Sequence, residues 1–120
     1  GYSVKHAIKR AITFINAGAD GILIHSKKKD PIEVYQFINE YNMLDNRKPL
    51  ICVPTAYNAV TAQELFAHGV NIVIYANHLM RSAVAAMEDT CLKILENDRS
   101  IEADLENCCE VKHLISLTEG

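Results

Sequence analysis

Apolar positions along the chain follow two alternating spacings, which predict helices and short buried strands. A spacing of three to four residues runs from Val4 to Ile15 and predicts an amphipathic helix, which Ser3 caps and Gly18 stops. A nearly continuous apolar run follows at residues 19–25, of the kind that is buried on both faces of a parallel sheet. The pattern therefore predicts a helix followed directly by a strand.

A second helix and strand are predicted next. Asp30, Pro31 and Glu33 indicate the start of the helix, as a capping carboxylate, a proline at the first helical position and an acid three residues beyond the cap. The apolar run "PLICVPT" predicts the strand after it. The inward face of this helix is predicted at Val34, Phe37, Ile38 and Tyr41.

The third repeat of the pattern begins at Thr61 and Glu64, which predict a capping box. The short helix they open should bury Leu65 and Phe66 and end at Gly69, before the strand "VNIVIYAN". A longer amphipathic helix is predicted at residues 79–96, and a final helical segment ends near "VKHLISL".

The order of these elements predicts an α/β fold with parallel strands and right-handed crossovers. Three strands cannot close a barrel, and strands this apolar need cover on both faces. We therefore expect a single incomplete segment at residues 1–120, part of a larger assembly, with helix and strand repeats at 1–96 and a helical extension at 97–120.

Composition narrows the class of protein. The 120 residues are 49% hydrophobic and 22% charged, with a net charge of −3, which indicates one globular core and no nucleic-acid partner. Neither a membrane span nor a signal peptide is evident, so a cytoplasmic protein is expected. The four cysteines have no C-x-x-C pairing and are interpreted as reduced thiols, and a zinc site at Cys52 would lack the usual ligand spacing.

Polar residues follow each predicted strand, where α/β proteins bind their ligands. His25, Ser26, Lys27 and Lys28 follow the first strand, and Thr55 follows the second. Asn77, after the third, could contact a ligand or cap the long helix. Cations, hydroxyls and hydrogen-bonding side chains at one rim predict a site for a small anion.

Three motifs, "GADGILIHSKKKDP", "VPTAYN" and "VNIVIYANHLMRSAVAAM", resemble the phosphoenolpyruvate mutase branch of the isocitrate lyase superfamily. The resemblance covers most of the chain. It implies a TIM-type (β/α)8 barrel, of which this chain would supply the carboxyl-terminal part, about strands 6 to 8 and the helices that follow. It also implies a homo-oligomer whose last helices are exchanged between subunits.

The resemblance further implies an isomerase of phosphonate biosynthesis that interconverts phosphoenolpyruvate and phosphonopyruvate with the aid of Mg²⁺. Of that machinery His25 and Thr55 are carried over as substrate-binding residues, with Ser26, Lys27, Lys28 and Asn77 as further rim candidates. The magnesium ligands and the remaining catalytic groups would lie in a missing amino-terminal barrel half. We therefore identify no catalytic residue within this chain and expect it to be inactive alone.

Two alternatives stay open from the sequence. Tyr75 stands where the family pattern has a tryptophan, and this departure near the rim leaves phosphonopyruvate hydrolase, or another lyase-type member, as an alternative activity. A non-catalytic half-barrel that serves as an oligomerisation or binding module is the alternative of a different class.

Overall fold

The computed structural model describes residues 3–118, which form two compact units, one up to Ala76 and one from Asn77 onward. Helices and strands alternate in the predicted order within the first unit. The predicted division at residue 96 stays a prediction. The elements are α1 Val4–Asn16, β1 Ile22–Ile24, α2 Ile32–Asn42, β2 Leu50–Cys52, α3 Ala62–Ala67, β3 Ile72–Val73, α4 His78–Asn97, α5 Ile101–Glu106 and α6 Val111–Ser116.

The three strands found among the described residues form one parallel sheet in the order β1-β2-β3. Leu23 pairs with Ile51, which in turn pairs with Ile72, so these three side chains lie in one row across the sheet. Parallel neighbouring strands cannot be joined by a short turn and need a crossover connection, which α2 and α3 supply. The α/β fold with parallel strands is confirmed.

The two faces of the sheet differ in burial. Ile22, Leu50 and Cys52 lie on the helix-covered face and are buried, whereas Leu23 is 56% exposed and Ile72 is 48% exposed on the opposite face. Ile51, which lies between them in the row, is half-buried, so this face is open chiefly at the two outer strands. The core on the covered face includes all four predicted residues of α2: Val34, Phe37, Ile38 and Tyr41.

Local end signals place four predicted helix boundaries correctly. Ser3 caps α1 by accepting the N–H of His6, and Thr61 and Glu64 form the predicted capping box of α3. Gly18 and Gly69 end their helices with φ of +98° and +102°, in the region that glycine adopts most easily.

The start of α2 differs from the prediction. Pro31 rather than Asp30 occupies the N-cap position, and the Asp30 carboxylate accepts the N–H of Ile32 at 3.3 Å from one residue further out. Glu33 does not complete a capping box, because its carboxylate is engaged by Ser26 and Lys28 instead. The prediction that Phe66 is buried is also wrong, since its side chain is 49% exposed.

The second unit is helical and buries little of its own apolar surface. Instead of one final helical segment it has two helices, α5 and α6. Lys93 of α4 pairs with Asp89 and with Glu106 of α5, and Asn107 donates to Asp89, which fixes the turn between the two helices. No residue of α4 is buried, although its apolar spacing predicts an inward face. Among the described residues, no helix has the length and apolar character needed to cross a bilayer.

Candidate functional site

His25 lies at the carboxyl end of β1, two residues beyond Leu23 and on the same open face of the sheet. Its ring nitrogen Nδ1 is 3.3 Å from the carbonyl oxygen of Val53, which follows β2. Because a carbonyl oxygen only accepts hydrogen bonds, Nδ1 must carry the proton in this contact. The hydrogen bond therefore orients the ring and leaves Nε2 as the nitrogen that can meet a ligand.

The protonation of His25 decides what kind of ligand the ring can bind. With Nδ1–H donated to Val53, the neutral ring has only a lone pair at Nε2 and would repel an anion. The doubly protonated ring has a second N–H at Nε2 and carries a positive charge. Only the doubly protonated ring could therefore donate to an anion from Nε2, through a charge-assisted hydrogen bond.

Ser26 and Lys28, two of the predicted rim residues, are engaged by Glu33. The Ser26 hydroxyl is buried and donates to Oε1 of Glu33 at 2.5 Å. The Lys28 ammonium pairs with Oε2 of the same carboxylate at 2.6 Å. The hydrogen bonds from Lys28 and then Ser26 hold the pKa of Glu33 below its usual range, so the carboxylate is charged at neutral pH.

The other predicted rim residues have different positions. Lys27 is exposed, directly after Ser26. Thr55 is half-buried, and its N–H donates to the Val53 carbonyl, the same oxygen that holds His25. Asn77 belongs to the second unit, where it occupies the N-cap position of α4 without a side-chain capping hydrogen bond. The structure thus brings His25 and Thr55 to one carbonyl group, and their roles in binding stay predictions.

A groove of about 1060 Å³ runs along β1, and the candidate site forms its polar end. Its apolar wall comes from α1, with Ala11 and Phe14 among the lining residues. His25, Ser26, Lys27, Lys28 and Glu33 line the other end. The groove follows β1, which is an edge strand of the sheet, so it lies where a further strand of a larger sheet would pair.

Sequence reasoning did not assign Glu33 to this site. Its position predicted a local role in helix capping, whereas its partners Ser26 and Lys28 lie seven and five residues earlier. A hydroxyl and an acid separated by a strand end and a loop have no recognised spacing. One signal was available in the sequence. Ser26 lies four residues after the buried Ile22, so the alternation of the strand predicts that its side chain also faces the helices.

The described residues do not include a magnesium site. No group of three or more histidine, cysteine, aspartate or glutamate side chains within residues 3–118 lies close enough together to hold a metal ion. Mg²⁺ prefers carboxylate and other oxygen ligands in an octahedral arrangement, and Glu33 is already committed to Ser26 and Lys28. We therefore derive no step through magnesium from this chain.

Parallel strands with helical crossovers and polar groups at their carboxyl ends are the arrangement found in a segment of an α/β barrel. A family model described as "Phosphoenolpyruvate phosphomutase" matches residues 1–95. The chain belongs to this phosphoenolpyruvate phosphomutase family and corresponds to the carboxyl-terminal part of its members. The resemblance in the three sequence motifs is thereby confirmed.

Individual relatives agree with this assignment. The phosphoenolpyruvate phosphomutase of Tetrahymena pyriformis is 43% identical over 104 residues, which are 87% of this chain and 34% of the relative. The crystal structure of the phosphomutase from Streptomyces platensis subsp. rosaceus superposes with a TM-score of 0.90 at 32% identity, over 99% of this chain and 40% of that one. A phosphonopyruvate hydrolase in complex with oxalate and Mg²⁺ gives a TM-score of 0.86 at 36% identity, over 98% and 40%.

The chain spans about a third of the length of this curated relative and two fifths of each solved structure. The sheet β1-β2-β3 therefore corresponds to only part of a barrel. This explains why its open face displays Leu23 and Ile72 to solvent, since the two faces of a barrel sheet are covered by helices outside and by other strands inside.

Proposed function

We propose that the complete protein to which this chain belongs interconverts phosphoenolpyruvate and phosphonopyruvate, and that this chain supplies part of the anion-binding rim. The observation that carries the proposal is the His25 ring, oriented by the Val53 carbonyl at the carboxyl end of β1, which leaves Nε2 as the nitrogen available to a ligand. The 43% identity to a phosphomutase supports this choice of reaction.

The reaction is an isomerisation and needs no co-reactant. The bond between phosphorus and the enol oxygen of phosphoenolpyruvate breaks, and a bond between phosphorus and carbon forms. Such a transfer depends on positioning the reactant and on stabilising the charge of the phosphoryl oxygens. His25 would hold an anionic group of the substrate through Nε2, and the Thr55 hydroxyl is the second candidate donor.

Magnesium belongs to the proposal only through the relatives. The related hydrolase was crystallised with oxalate and Mg²⁺, and oxalate is a small dicarboxylate that resembles an enol or keto acid. In the complete protein the ion would supply charge stabilisation for such an acid. The acids that hold it are expected outside this chain, while His25 contributes a donor that needs no metal.

Phosphonopyruvate hydrolysis is the second candidate activity. The hydrolase structure is 36% identical to this chain, which is close to the values for the phosphomutases. In that reaction water adds, the carbon–phosphorus bond breaks, and the products are pyruvate and phosphate. Both reactions use the same anionic substrate, so His25 would serve either one.

The test is to incubate the complete protein with phosphonopyruvate and Mg²⁺ and to follow phosphorus by ³¹P NMR. We expect phosphoenolpyruvate to appear, whereas inorganic phosphate with pyruvate would indicate the hydrolase. His25→Ala should lower kcat/KM by at least about tenfold, because the charged donor is lost. The matched control is His113→Ala on α6, an exposed histidine of the second unit, which should leave kcat/KM unchanged.

Two results would contradict the proposal in different ways. Unchanged kinetics in His25→Ala would remove His25 from the site. No turnover of phosphonopyruvate by the wild-type protein would remove the reaction itself and favour the non-catalytic module.

A further inference from the structure

A cluster of three side chains lies directly behind His25, on the covered side of the sheet. Ser26 is only 5% exposed, and its hydroxyl donates to Oε1 of Glu33 at 2.5 Å. The same hydroxyl oxygen accepts the backbone N–H of Lys28 at 3.1 Å. The Lys28 ammonium returns to Oε2 of Glu33 at 2.6 Å, so both carboxylate oxygens of Glu33 are engaged.

These contacts fix the backbone immediately after His25. The Ser26 hydroxyl bonds to the N–H two residues ahead, which tightens the chain into a turn at residues 26–28. Glu33 ties this turn to the first turn of α2, seven residues further along the chain. Because Ser26 follows His25 directly, an anchored Ser26 leaves the Cα of His25 little freedom to move.

His25 is therefore held from two directions. Its ring is oriented by the Val53 carbonyl on the β2 side, and its backbone is held through Ser26 by Glu33 on the α2 side. The alternation of the strand produces this arrangement, since it directs His25 to the open face and Ser26 to the helix layer. Neither contact alone fixes both the position and the direction of Nε2.

The charge of Glu33 is suited to this role. A carboxylate in the first turn of a helix is stabilised by the partial positive charge of the helix amino end. Its hydrogen bonds with Lys28 and Ser26 are charge-assisted, which makes them stronger than neutral ones. The ion pair between Lys28 and Glu33 also neutralises the charge of Lys28 next to the rim. This lysine is therefore directed to Glu33 and not to an anion.

We propose that Glu33 is a positioning residue for His25, acting through Ser26, and that it sets the affinity of the site for its anionic ligand. The proposal rests on the proposed role of His25 in anion binding. Glu33 does not touch the ligand in this scheme. Its effect arises because a donor displaced by about 1 Å loses much of its contribution to binding and to catalysis.

The experiment uses the complete protein and oxalate as the probe, with Mg²⁺ present, measured by isothermal titration calorimetry. Five variants are compared: Glu33→Ala, which removes both contacts, the isosteric Glu33→Gln, Lys28→Met, His25→Ala, and the control Glu40→Gln on the exposed side of the same helix. The dissociation constant, the binding stoichiometry and the kcat/KM for phosphonopyruvate are determined for each.

The expected effects form a graded series. Glu33→Ala should raise the dissociation constant of oxalate about tenfold, at unchanged stoichiometry. Glu33→Gln should have a smaller effect, because its amide oxygen can still accept from Ser26. Lys28→Met should have the smallest, since the Ser26–Glu33 hydrogen bond survives, and Glu40→Gln should match the wild type.

The readouts separate a positioning role from a structural one. If Glu33 only stabilised the fold, its loss would lower the fraction of molecules that bind and leave the dissociation constant of the remainder unchanged. If Glu33→Ala does not fold, Ser26→Ala tests the same contact from the other side, and a tenfold weaker oxalate affinity is again expected.

Two outcomes are distinguishable failures. In the first, Glu33→Ala binds oxalate with wild-type affinity while His25→Ala binds it more weakly. This result would overturn the positioning role and leave the proposed function intact. Ser26→Ala replaces Glu33→Ala in this comparison if the latter does not fold. Wild-type affinity in His25→Ala would overturn the anion-binding role itself.

Discussion

His25 and Ser26 are neighbours in the chain, yet the strand alternation sends their side chains to opposite faces of the sheet. His25 is exposed on the open face, and Ser26 is buried beneath the first turn of α2. The three lysines that follow contribute less to the proposed anion site than their number indicates. Lys28 is paired with Glu33, and Lys27 and Lys29 are exposed. At this scale the histidine is the anion-binding candidate, and the serine is its support.

Cys52 provides a residue-scale prediction that does not depend on the proposed reaction. Burial raises the pKa of its thiol to about 11, and the neighbouring Tyr57 hydroxyl offsets this only in part. Cys91, Cys108 and Cys109 are exposed. With iodoacetamide at pH 8, Cys52 should react at least about a hundredfold more slowly than these three, because both its thiolate fraction and its access are reduced. Peptide mass spectrometry measures each rate, and equal rates would contradict the buried position of Cys52.

At the scale of whole elements, the helix ends that depend on contacts within a few residues were predictable from the sequence. Ser3, Gly18, Gly69 and the capping box at Thr61 set helix ends through contacts within a few residues, and all of these were predictable from the sequence. The contacts of Glu33 were not predictable, because they depend on how α2 packs over the end of β1.

Burial of the longer helix also could not be predicted from its own pattern. The apolar spacing of α4 is clear in the sequence, yet none of its residues is buried. A helical pattern indicates which face is apolar and gives no information about what covers that face. The same limit applies to the candidate site, where residue types and rim position were predictable and the pairing of Lys28 was not.

Gly69 gives an element-scale prediction with a matched control. Gly18 and Gly69 both have positive φ, but a Cβ on Gly69 would lie 2.8 Å from the Asn42 amide, whereas one on Gly18 would meet nothing within 4 Å. Gly18→Ala should lower the free energy of unfolding by about 1 kcal/mol through backbone strain. Gly69→Ala should lower it by at least about 1 kcal/mol more, because Asn42 must shift and its 2.8 Å hydrogen bond to the His68 carbonyl is disturbed.

Urea unfolding of the variants checks this difference. A double variant, Gly69→Ala with Asn42→Ala, removes the crowded side chain, so the additional cost of Gly69→Ala should largely disappear in the Asn42→Ala background. Equal destabilisation by Gly18→Ala and Gly69→Ala would show that the Asn42 contact is unimportant.

At the scale of the whole molecule, the open face of the sheet carries apolar side chains that the rest of a barrel would cover. Leu23 and Ile72 are large, exposed apolar side chains in one row with the half-buried Ile51. Exposed contiguous apolar surface usually marks an interaction site. Because the chain covers only 34–40% of its relatives, we expect the strands of the remaining barrel to cover this face. That barrel half would also supply the magnesium ligands and the rest of the anion site.

The most direct test of whether His25 belongs to the anion site is to observe its ring while the ligand binds. In the complete protein with Mg²⁺, ¹⁵N-labelled histidine side chains are followed by NMR during a titration with oxalate, while calorimetry reports binding in parallel. We expect the Nε2 signal of His25 to shift as oxalate binds, while the signals of His68 and His113 stay unchanged. Oxalate binding without any change in the His25 signals, or no binding of oxalate at all, would contradict it.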